Sequence, residues 1–427
     1  MQKLKKLNNL PISDHLTRED KILILCARVY MPSERREVLK SLLEQLSDWD
    51  LLLEKAIYQR LVCLVAHHLR SEELSAFVPQ SIQQTLHNIY YTSLVRNMLL
   101  QNELSKLLSS FQQEGIPNIV LKGAAMLGNV YQDISLRSMG DMDILVHPDH
   151  LNQAVDVALE QGYSHITSPH SQETARKKLR HLATMQNRET RITLEIHQHI
   201  EDVDSPYHFD LRNFWDRAHR INISGADTLI LAPEELLIHL SLNFIRDRHY
   251  DSRNAIGQLC DISEVITYFR ESLNWNLLET MAKELGIEST LHCALYICKQ
   301  VLDANVPTNV LSSIQPSGFN TSILTLFINR RIFDTRDWIL LDWMAPKRKY
   351  NLYKSMLTII YKILRIPLQV FREDGFRKRK LIYYIYLIRN TIPELMKHLK
   401  TPSKLREDVI LDRWLHDLYN DRTRPAS

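Results

Sequence analysis

The chain has 427 residues, of which 44% are hydrophobic and 24% are charged, and its formal net charge is +3. These values are typical of soluble globular proteins, so they exclude a wholly disordered chain and a fibrous repeat. The length exceeds the roughly 250–300 residues at which a single hydrophobic core stops growing, which predicts more than one domain. The chain contains five cysteines, an odd number without CxxC spacing, which indicates reduced thiols and no zinc site.

The sequence shows no signal for secretion or membrane insertion. The N-terminal residues are not followed by an apolar run of signal-peptide length. The apolar stretch that starts at Met356 is interrupted by Lys362, Arg365 and Pro367, whereas a membrane-spanning helix needs about 20 uninterrupted apolar residues. We therefore expect a cytoplasmic protein without a transmembrane segment.

Residues 1–113 are predicted to form an N-terminal helical region. Apolar residues recur every three or four positions between residues 17 and 113, and this stretch contains no glycine. The pattern ends at "EGIPNIVLKG", where Gly115 and Pro117 interrupt the helical rhythm.

Residues 114–225 are predicted to form a small α/β core. The apolar runs "NIVLK" and "DMDILV" indicate buried strands, and each is followed by a helical pattern, the second of which ends at Gly162. The segments "HLATMQN" and "RITLEIHQHI" indicate two more strands that form a hairpin. The predicted fold class is therefore α+β, with a mixed sheet of about four strands flanked by helical regions on both sides.

Residues 226–427 are predicted to form a C-terminal helical region. Its first helix begins near Pro233, which is followed by acidic residues, and both are helix-start signals. Residues 347–406 contain sixteen Lys and Arg against three acidic residues. This basic segment is either a solvated face or a surface that binds nucleic acid, anionic lipid or a polyphosphate.

Two aspartates lie within the predicted strand "DMDILV". Because side chains alternate between the faces of a strand, Asp141 and Asp143 share one face, about 6.6 Å apart along the chain. Two neighbouring carboxylates raise each other's pKa and cost stability unless a cation lies between them. Oxygen ligands favour Mg²⁺, which predicts a metal site, although an exposed edge strand is an alternative explanation.

The strand "RITLEIHQHI" predicts a third carboxylate at the same place. Its alternation places Thr193, Glu195 and His197 on one face. If this strand pairs beside "DMDILV", Glu195 faces the two aspartates, and three carboxylates can hold two metal ions about 3.5–4 Å apart for phosphoryl chemistry. His197 either orients Glu195, touches an acceptor or is a buried structural histidine.

The turn "LKGAAML" predicts a phosphate-binding element. Gly123 at the start of a helix allows a phosphate to approach backbone N–H groups. Lys122 and Arg137 are candidates for binding the phosphate charge. As alternatives, Lys122 ends the strand in solvent and Arg137 forms a structural ion pair with Asp141.

Polar residues outside the core are assigned packing roles. His239 lies on an apolar helix face, and Asp261 precedes another apolar run. We expect a buried histidine and an ion-paired or helix-terminal aspartate at these positions, with acceptor binding as the alternative. The aromatic residues of "KLIYYIYLIRN" are expected to be core, with stacking on nucleic acid as the alternative.

The segments "NIVLKGAAML", "LRSMGDMDILV" and "ITLEIHQHI" together resemble the uncharacterised bacterial nucleotidyltransferases of the DNA polymerase β-like superfamily. The resemblance covers about residues 115–200 and rests on LKG, an arginine before DxD, and an acid followed two residues later by histidine. It implies the catalytic and metal-binding residues Asp141, Asp143 and Glu195. It also implies a nucleotide-binding set that consists of Lys122, Gly123, Ala124, Arg137 and His197.

The sequence departs from the superfamily pattern at two positions. Gly123 and Ala124 stand where the wider superfamily has Gly-Ser, so the hydroxyl that helps to hold the terminal phosphates is missing. The third carboxylate is Glu195 where aspartate is commoner, which gives a longer side chain.

The resemblance implies an enzyme that uses two Mg²⁺ ions to transfer a nucleoside monophosphate from an NTP to a hydroxyl-bearing acceptor. A small molecule, a peptide or a protein is favoured as the acceptor over nucleic acid. The first alternative is a catalytically weak or inactive binding module that tethers a partner through its helical and basic surfaces. The second is a phosphotransferase that donates the γ-phosphate.

Overall fold

A computed structural model describes residues 16–203, 205, 207, 209–248, 253–333, 410–411 and 414. The chain divides into two compact units. The first contains residues 1–246, 253–320 and 418–427, and the second contains residues 247–252 and 321–417. The predicted basic segment 347–406 lies outside the described residues.

The described part of the first unit begins with helices. They are α1 (Arg18–Cys26), α2 (Ser33–Glu44), α3 (Trp49–Tyr58), α4 (Val62–Leu69), α5 (Glu72–Ser75) and α6 (Gln80–Gln113). Helix α1 starts at a capping box in which the Thr17 side chain accepts from the Asp20 N–H and the Asp20 carboxylate accepts from the Thr17 N–H. The buried side chains of α6 include Leu100, Leu104 and Leu107, whose spacing gives the helix one apolar face.

A seven-stranded mixed sheet forms the centre of this unit, in the spatial order β3-β4-β5-β2-β1-β7-β6. Its strands are β1 (Asn118–Leu121), β2 (Asp141–Val146), β3 (Tyr163–His165), β4 (Met185–Asn187), β5 (Thr193–His197), β6 (His219–Ile223) and β7 (Ala226–Ile230). The intervening helices are α7 (Lys122–Met126), α8 (Leu151–Glu160), α9 (Pro169–Lys178) and α10 (Leu211–Arg217). The α+β class with a mixed sheet is therefore confirmed.

Strand β2 lies at the middle of the sheet, between β1 and β5. It runs antiparallel to β1 and parallel to β5. Met142, Ile144 and Val146 have no solvent exposure, as expected for a strand with a buried apolar face. The position of β2 brings the end of β1 and the start of β5 to the two aspartates.

The sheet contains more strands than the sequence predicts. Strands β1, β2, β4 and β5 and the β4–β5 hairpin follow the expected pattern. The hairpin of β6 and β7 was not predicted, and it adds β7 in parallel to β1. Gly162, with φ of +86°, follows α8 and allows the left-handed turn into β3.

Helices complete the described part of the first unit. They are α11 (Pro233–Asp247), whose last residue belongs to the second unit, α12 (Ala255–Tyr268), α13 (Trp275–Leu285), α14 (Glu288–Leu302) and α15 (Thr308–Ser313). The described part of the second unit includes helix α16 (Thr321–Ile328) and a π-helical turn (Asn329–Phe333). Among the described helices, none combines the length and the apolar composition that crossing a membrane requires.

Candidate active site

The register of β2 and β5 brings two acidic residues side by side. Asp143 pairs with Glu195, and Asp141 pairs with Thr193. Paired residues of neighbouring parallel strands point to the same face of the sheet, so the carboxyl groups of Asp141, Asp143 and Glu195 share one face. The sequence predicted this arrangement from the alternation of each strand.

The loop before β2 is held in place by helix α6. The Arg96 guanidinium donates to the carbonyl oxygens of Met139 and Gly140, at 3.0 and 3.3 Å. The Asn97 amide donates to the Arg137 carbonyl oxygen at 2.7 Å. These bonds satisfy backbone acceptors that lie outside the sheet, and they position both Arg137 and the first residue of β2.

Asp143 is the buried centre of the site, with 3% of its surface exposed. Its Oδ1 accepts from Lys122 Nζ at 2.5 Å and from His197 Nε2 at 2.9 Å. The second oxygen, Oδ2, has no hydrogen-bond partner among the described residues. One oxygen of Asp143 is therefore held by the protein, and the other is available to a ligand.

The charges of Asp143 and His197 follow from this contact. Burial raises the pKa of the Asp143 carboxyl, but Lys122 and His197 outweigh burial and hold that pKa well below its usual range. Burial lowers the pKa of His197 to about 3 although Asp143 opposes the shift. An ionised Asp143 only accepts hydrogen bonds, so a neutral His197 carries its proton on Nε2 and donates it to Asp143.

Asp141 has the opposite electrostatic environment. Burial, followed by the nearby Asp143 charge, raises the pKa of its carboxyl to about 6, and Glu195 adds to the increase. Lys122 and Arg60 oppose this shift without cancelling it. The three carboxylates therefore leave excess negative charge, which a bound cation would neutralise.

Glu195 is oriented by residues of the segment that directly precedes β4. Thr184 Oγ1 donates to Glu195 Oε1 at 3.4 Å, and Glu195 Oε2 lies 3.8 Å from His181 Nε2 and 3.9 Å from His197 Nε2. The Nδ1 of His181 donates to the Leu182 carbonyl oxygen at 2.7 Å. Thr184 and His181 were not singled out from the sequence, because neither belongs to a recognisable motif.

The donor atoms fit a hard divalent cation. Ligand atoms of Asp143, Glu195 and His197 all lie within 4.8 Å of one another. Because His197 Nε2 donates to Asp143, the imidazole orients that carboxylate, as partners of metal ligands commonly do. Asp141 lies outside this closest set, but its charge interacts with both Asp143 and Glu195. Carboxylate oxygens are the ligands that Mg²⁺ and Mn²⁺ prefer.

Gly123 provides space for a guanidinium at the end of β1. Lys122 has φ of +49°, a conformation that L-residues rarely adopt, and it opens the short helix α7. A Cβ atom on Gly123 would overlap the Arg137 guanidinium and the Met139 sulfur. Gly123 is therefore required by the arginine that lies over it, and this close approach places Arg137 beside α7.

Substituting Gly123 with alanine is expected to destabilise the protein by about 1–3 kcal/mol, since the added methyl group would displace a well-packed guanidinium. Urea unfolding followed by circular dichroism measures this change. Gly140→Ala is the matched control, because the nearest atom to its added Cβ is Arg60 Nη1, at 4.0 Å. Equal unfolding midpoints for the two variants would contradict the packing described here.

Arg137 is paired with an acid from a distant helix. Its Nε and Nη2 donate to Asp261 Oδ1 and Oδ2, at 2.9 and 2.8 Å. The Tyr131 hydroxyl also donates to Asp261 Oδ1, at 2.8 Å. Asp261, for which an ion pair or a helix end was expected, thus pairs with Arg137. Asp141, the partner considered from the sequence, does not pair with Arg137.

His239 lies in the interior of α11, with 2% of its surface exposed. Burial, and then the Lys122 charge, hold the pKa of His239 well below its usual range, so the ring is neutral. Its Nδ1 has no hydrogen-bond partner among the described residues. The expected burial of His239 is observed.

Comparison with known proteins indicates the family of the chain. The model of a family described as uncharacterised nucleotidyltransferase matches residues 45–303, more than half of the chain. No curated protein matches the chain significantly. Among solved structures, the chain is similar to an antigenic nucleotidyltransferase-like protein from Paracoccidioides brasiliensis, at 16% identity and a TM-score of 0.31. That similarity covers 50% of this chain and 95% of the other.

Proposed function

Because the chain belongs to the uncharacterised nucleotidyltransferase family, we propose that it transfers a nucleoside monophosphate from an NTP to a hydroxyl-bearing acceptor. One observation carries the proposal, namely the register that sets Asp143 opposite Glu195 on the face that Asp141 shares. Three acids on adjacent central strands are costly to keep together without a cation. Metal-dependent phosphoryl transfer explains this arrangement, because the metal ions neutralise the acids and take part in the reaction.

In this proposal, Asp141, Asp143 and Glu195 would hold two Mg²⁺ ions. When bound, the ions would neutralise phosphate charge and make the acceptor hydroxyl more acidic. Support for Asp143 as a ligand comes from its Oδ2, which makes no hydrogen bond to a described residue while Oδ1 is held in place. Support for Asp141 comes from its unbalanced electrostatic environment, since a nearby cation would favour its ionised form.

The other residues position these ligands and the substrate. His197 fixes the rotamer of Asp143 by donating to Oδ1. Glu195 accepts the proton of the acceptor hydroxyl while the oxygen of that hydroxyl attacks the α-phosphorus. The bond from the α-phosphorus to the bridging oxygen breaks, and pyrophosphate leaves with the electron pair. Lys122, Gly123, Ala124 and Arg137 lie on the side of β1 and are proposed to face the triphosphate.

We propose a small molecule, a peptide or a protein as the acceptor. The sequence feature that would favour nucleic acid is the basic segment 347–406, which lies outside the described residues.

One contact favours a second candidate function. Lys122 Nζ lies 2.5 Å from Asp143 Oδ1, so part of the negative charge is already neutralised by the protein itself. A site balanced in this way suits a binding module that has lost catalysis, and the missing hydroxyl at Ala124 supports the same idea. The two candidates differ in whether a nucleoside monophosphate is transferred to an acceptor.

Transfer is tested by incubating the protein with Mg²⁺ and each NTP, labelled in turn at the α- and γ-phosphate, with cell extract as the source of acceptors. We expect transfer of the α-label to an acceptor, and EDTA is expected to abolish it because the carboxylates then lack their cation. Transfer of the γ-label would identify a phosphotransferase. If neither label is transferred, the binding module is the better description.

A further inference from the structure

Arg60 is an exposed arginine on the turn between α3 and α4, in the part of the chain before the sheet. Its φ of +53° lies in the left-handed region, which is unfavourable for arginine. The side chain makes no hydrogen bond or ion pair with any described residue. An unfavourable backbone conformation that presents an unpaired cation is unusual unless the surrounding structure holds it there.

The turn that carries Arg60 is held by the start of helix α12. The Asn254 N–H donates to the Tyr58 carbonyl oxygen at 3.0 Å, and the Ile256 N–H donates to Gln59 Oε1 at 2.9 Å. A Cβ on Gly257 would lie 2.8 Å from the Gln59 carbonyl oxygen, so the absence of a side chain at Gly257 permits this close packing. The contacts of Tyr58 and Gln59 therefore hold the turn directly before Arg60.

These contacts place Arg60 at the edge of the candidate active site. Its Nη1 lies 4.0 Å from where a Cβ on Gly140 would be, directly before β2. Its positive charge opposes the rise in the pKa of the Asp141 carboxyl. Arg60 also lines a cleft with Arg137, Ser138 and Asp261. Because Arg137 lies over Gly123, this cleft is on the side of the site where β1 ends and α7 begins.

Two neighbouring cations already have acidic partners. The Arg137 guanidinium is bound by Asp261 through two hydrogen bonds, and Lys122 is bound by Asp143. Arg60 differs from both, because its guanidinium retains every N–H donor with respect to the described residues. A planar guanidinium with free donors suits the oxygens of a phosphate group.

We propose that Arg60 binds the β- and γ-phosphates of the NTP and the pyrophosphate that leaves. This inference rests on the proposed function and names a residue from the N-terminal helices for it. As the acceptor oxygen bonds to the α-phosphorus and the bond to the bridging oxygen breaks, negative charge collects on the pyrophosphate. Arg60 stabilises that charge by donating hydrogen bonds to the phosphate oxygens, and no proton leaves the guanidinium.

The test uses isothermal titration calorimetry of the full chain with inorganic pyrophosphate in the presence of Mg²⁺, which requires no acceptor. Arg60→Ala is expected to weaken binding by about 10- to 100-fold, because a charge-assisted hydrogen-bond pair is lost. Arg60→Lys is expected to recover part of the affinity, since it keeps the charge but loses the planar donor pair. Wild-type affinity in Arg60→Ala, or no binding of pyrophosphate by the wild type, would overturn the proposal.

The control is Arg212→Ala, which removes an exposed arginine that is paired with Asp210 and lies outside the site. Arg212 is exposed and lies on α10, whose Trp215 ring packs against His147 just after the end of β2. Asp141 begins that strand, so His147 is about 20 Å away along the chain. We expect Arg212→Ala to bind pyrophosphate like the wild type. Equal weakening by both arginine variants would indicate a nonspecific charge effect and would also overturn the proposal.

The outcomes for Arg60 and for the proposed function are separable. If Arg60→Ala weakens pyrophosphate binding but no α-label is transferred, the role of Arg60 in phosphate binding stands and nucleotidyl transfer fails. If the α-label is transferred and Arg60→Ala leaves the KM for the NTP unchanged, nucleotidyl transfer is supported and the proposed role of Arg60 in phosphate binding is rejected. We expect the KM for the NTP to rise in Arg60→Ala and to fall back partly in Arg60→Lys.

Discussion

Asp143→Asn is expected to lower transfer of the α-label by at least about 10³-fold, because loss of a metal ligand removes several kcal/mol of transition-state stabilisation. The amide has no negative charge to offer a cation. It also cannot accept from both Lys122 and His197 with the strength of a carboxylate. Binding of Mn²⁺, followed by electron paramagnetic resonance, measures the loss independently of any acceptor.

The control for this variant is Asp149→Asn. The Asp149 side chain is 84% exposed and lies in the turn after β2. It has the same chemistry as Asp143 but lies beyond the far end of the strand, so we expect wild-type Mn²⁺ binding and transfer. Full Mn²⁺ binding by Asp143→Asn, with its folded structure retained, would remove Asp143 from the metal site.

The second large effect is expected for stability. Asp261→Ala removes the partner of Arg137 and leaves a guanidinium, 19% exposed, without its counter-charge. The Tyr131 hydroxyl loses its carboxylate acceptor in the same step. Breaking a buried ion pair in this way costs about 3–5 kcal/mol of the free energy of unfolding, which urea denaturation measures.

An exposed ion pair provides the comparison. Arg212→Ala breaks the ion pair with Asp210, removes a side chain that is 86% exposed and leaves the Asp210 carboxylate in place as the N-cap of α10. We expect it to change the free energy of unfolding far less than Asp261→Ala does. The double variant Arg137→Met with Asp261→Leu is expected to recover part of the stability lost in Asp261→Ala, since no unpaired charge is left. A cost below 1 kcal/mol for Asp261→Ala would show that the contact is not structurally important.

The strands that carry the acids could be predicted because their signal is local. Alternation within "DMDILV" and "RITLEIHQHI" determines which side chains share a face, and pairing of the two strands then brings Asp143 to Glu195. Strands β6 and β7 carry a weaker signal. Three of the five β6 side chains are exposed, so this short edge strand has no clear apolar face to recognise.

The partners of the cations could not be predicted, because they depend on contacts between distant parts of the chain. Arg137 meets Asp261 across 124 positions, and the Ile256 N–H meets the turn of Arg60 across 197. No local pattern distinguishes Arg137, which is paired, from Arg60, which is not. Only the packing of helices against the sheet determines which guanidinium keeps its donors for a ligand.

The pairing of β1 with β7 has a consequence for how the protein folds during synthesis. Thr228 Oγ1 of β7 donates at 2.6 Å to Asn118 Oδ1 of β1, 110 residues earlier in the chain. Until β7 leaves the ribosome, β1 has a free edge next to the strand that carries the aspartates. A nascent chain that stalls before residue 226 therefore exposes an apolar strand edge, the kind of surface that recruits chaperones or aggregates.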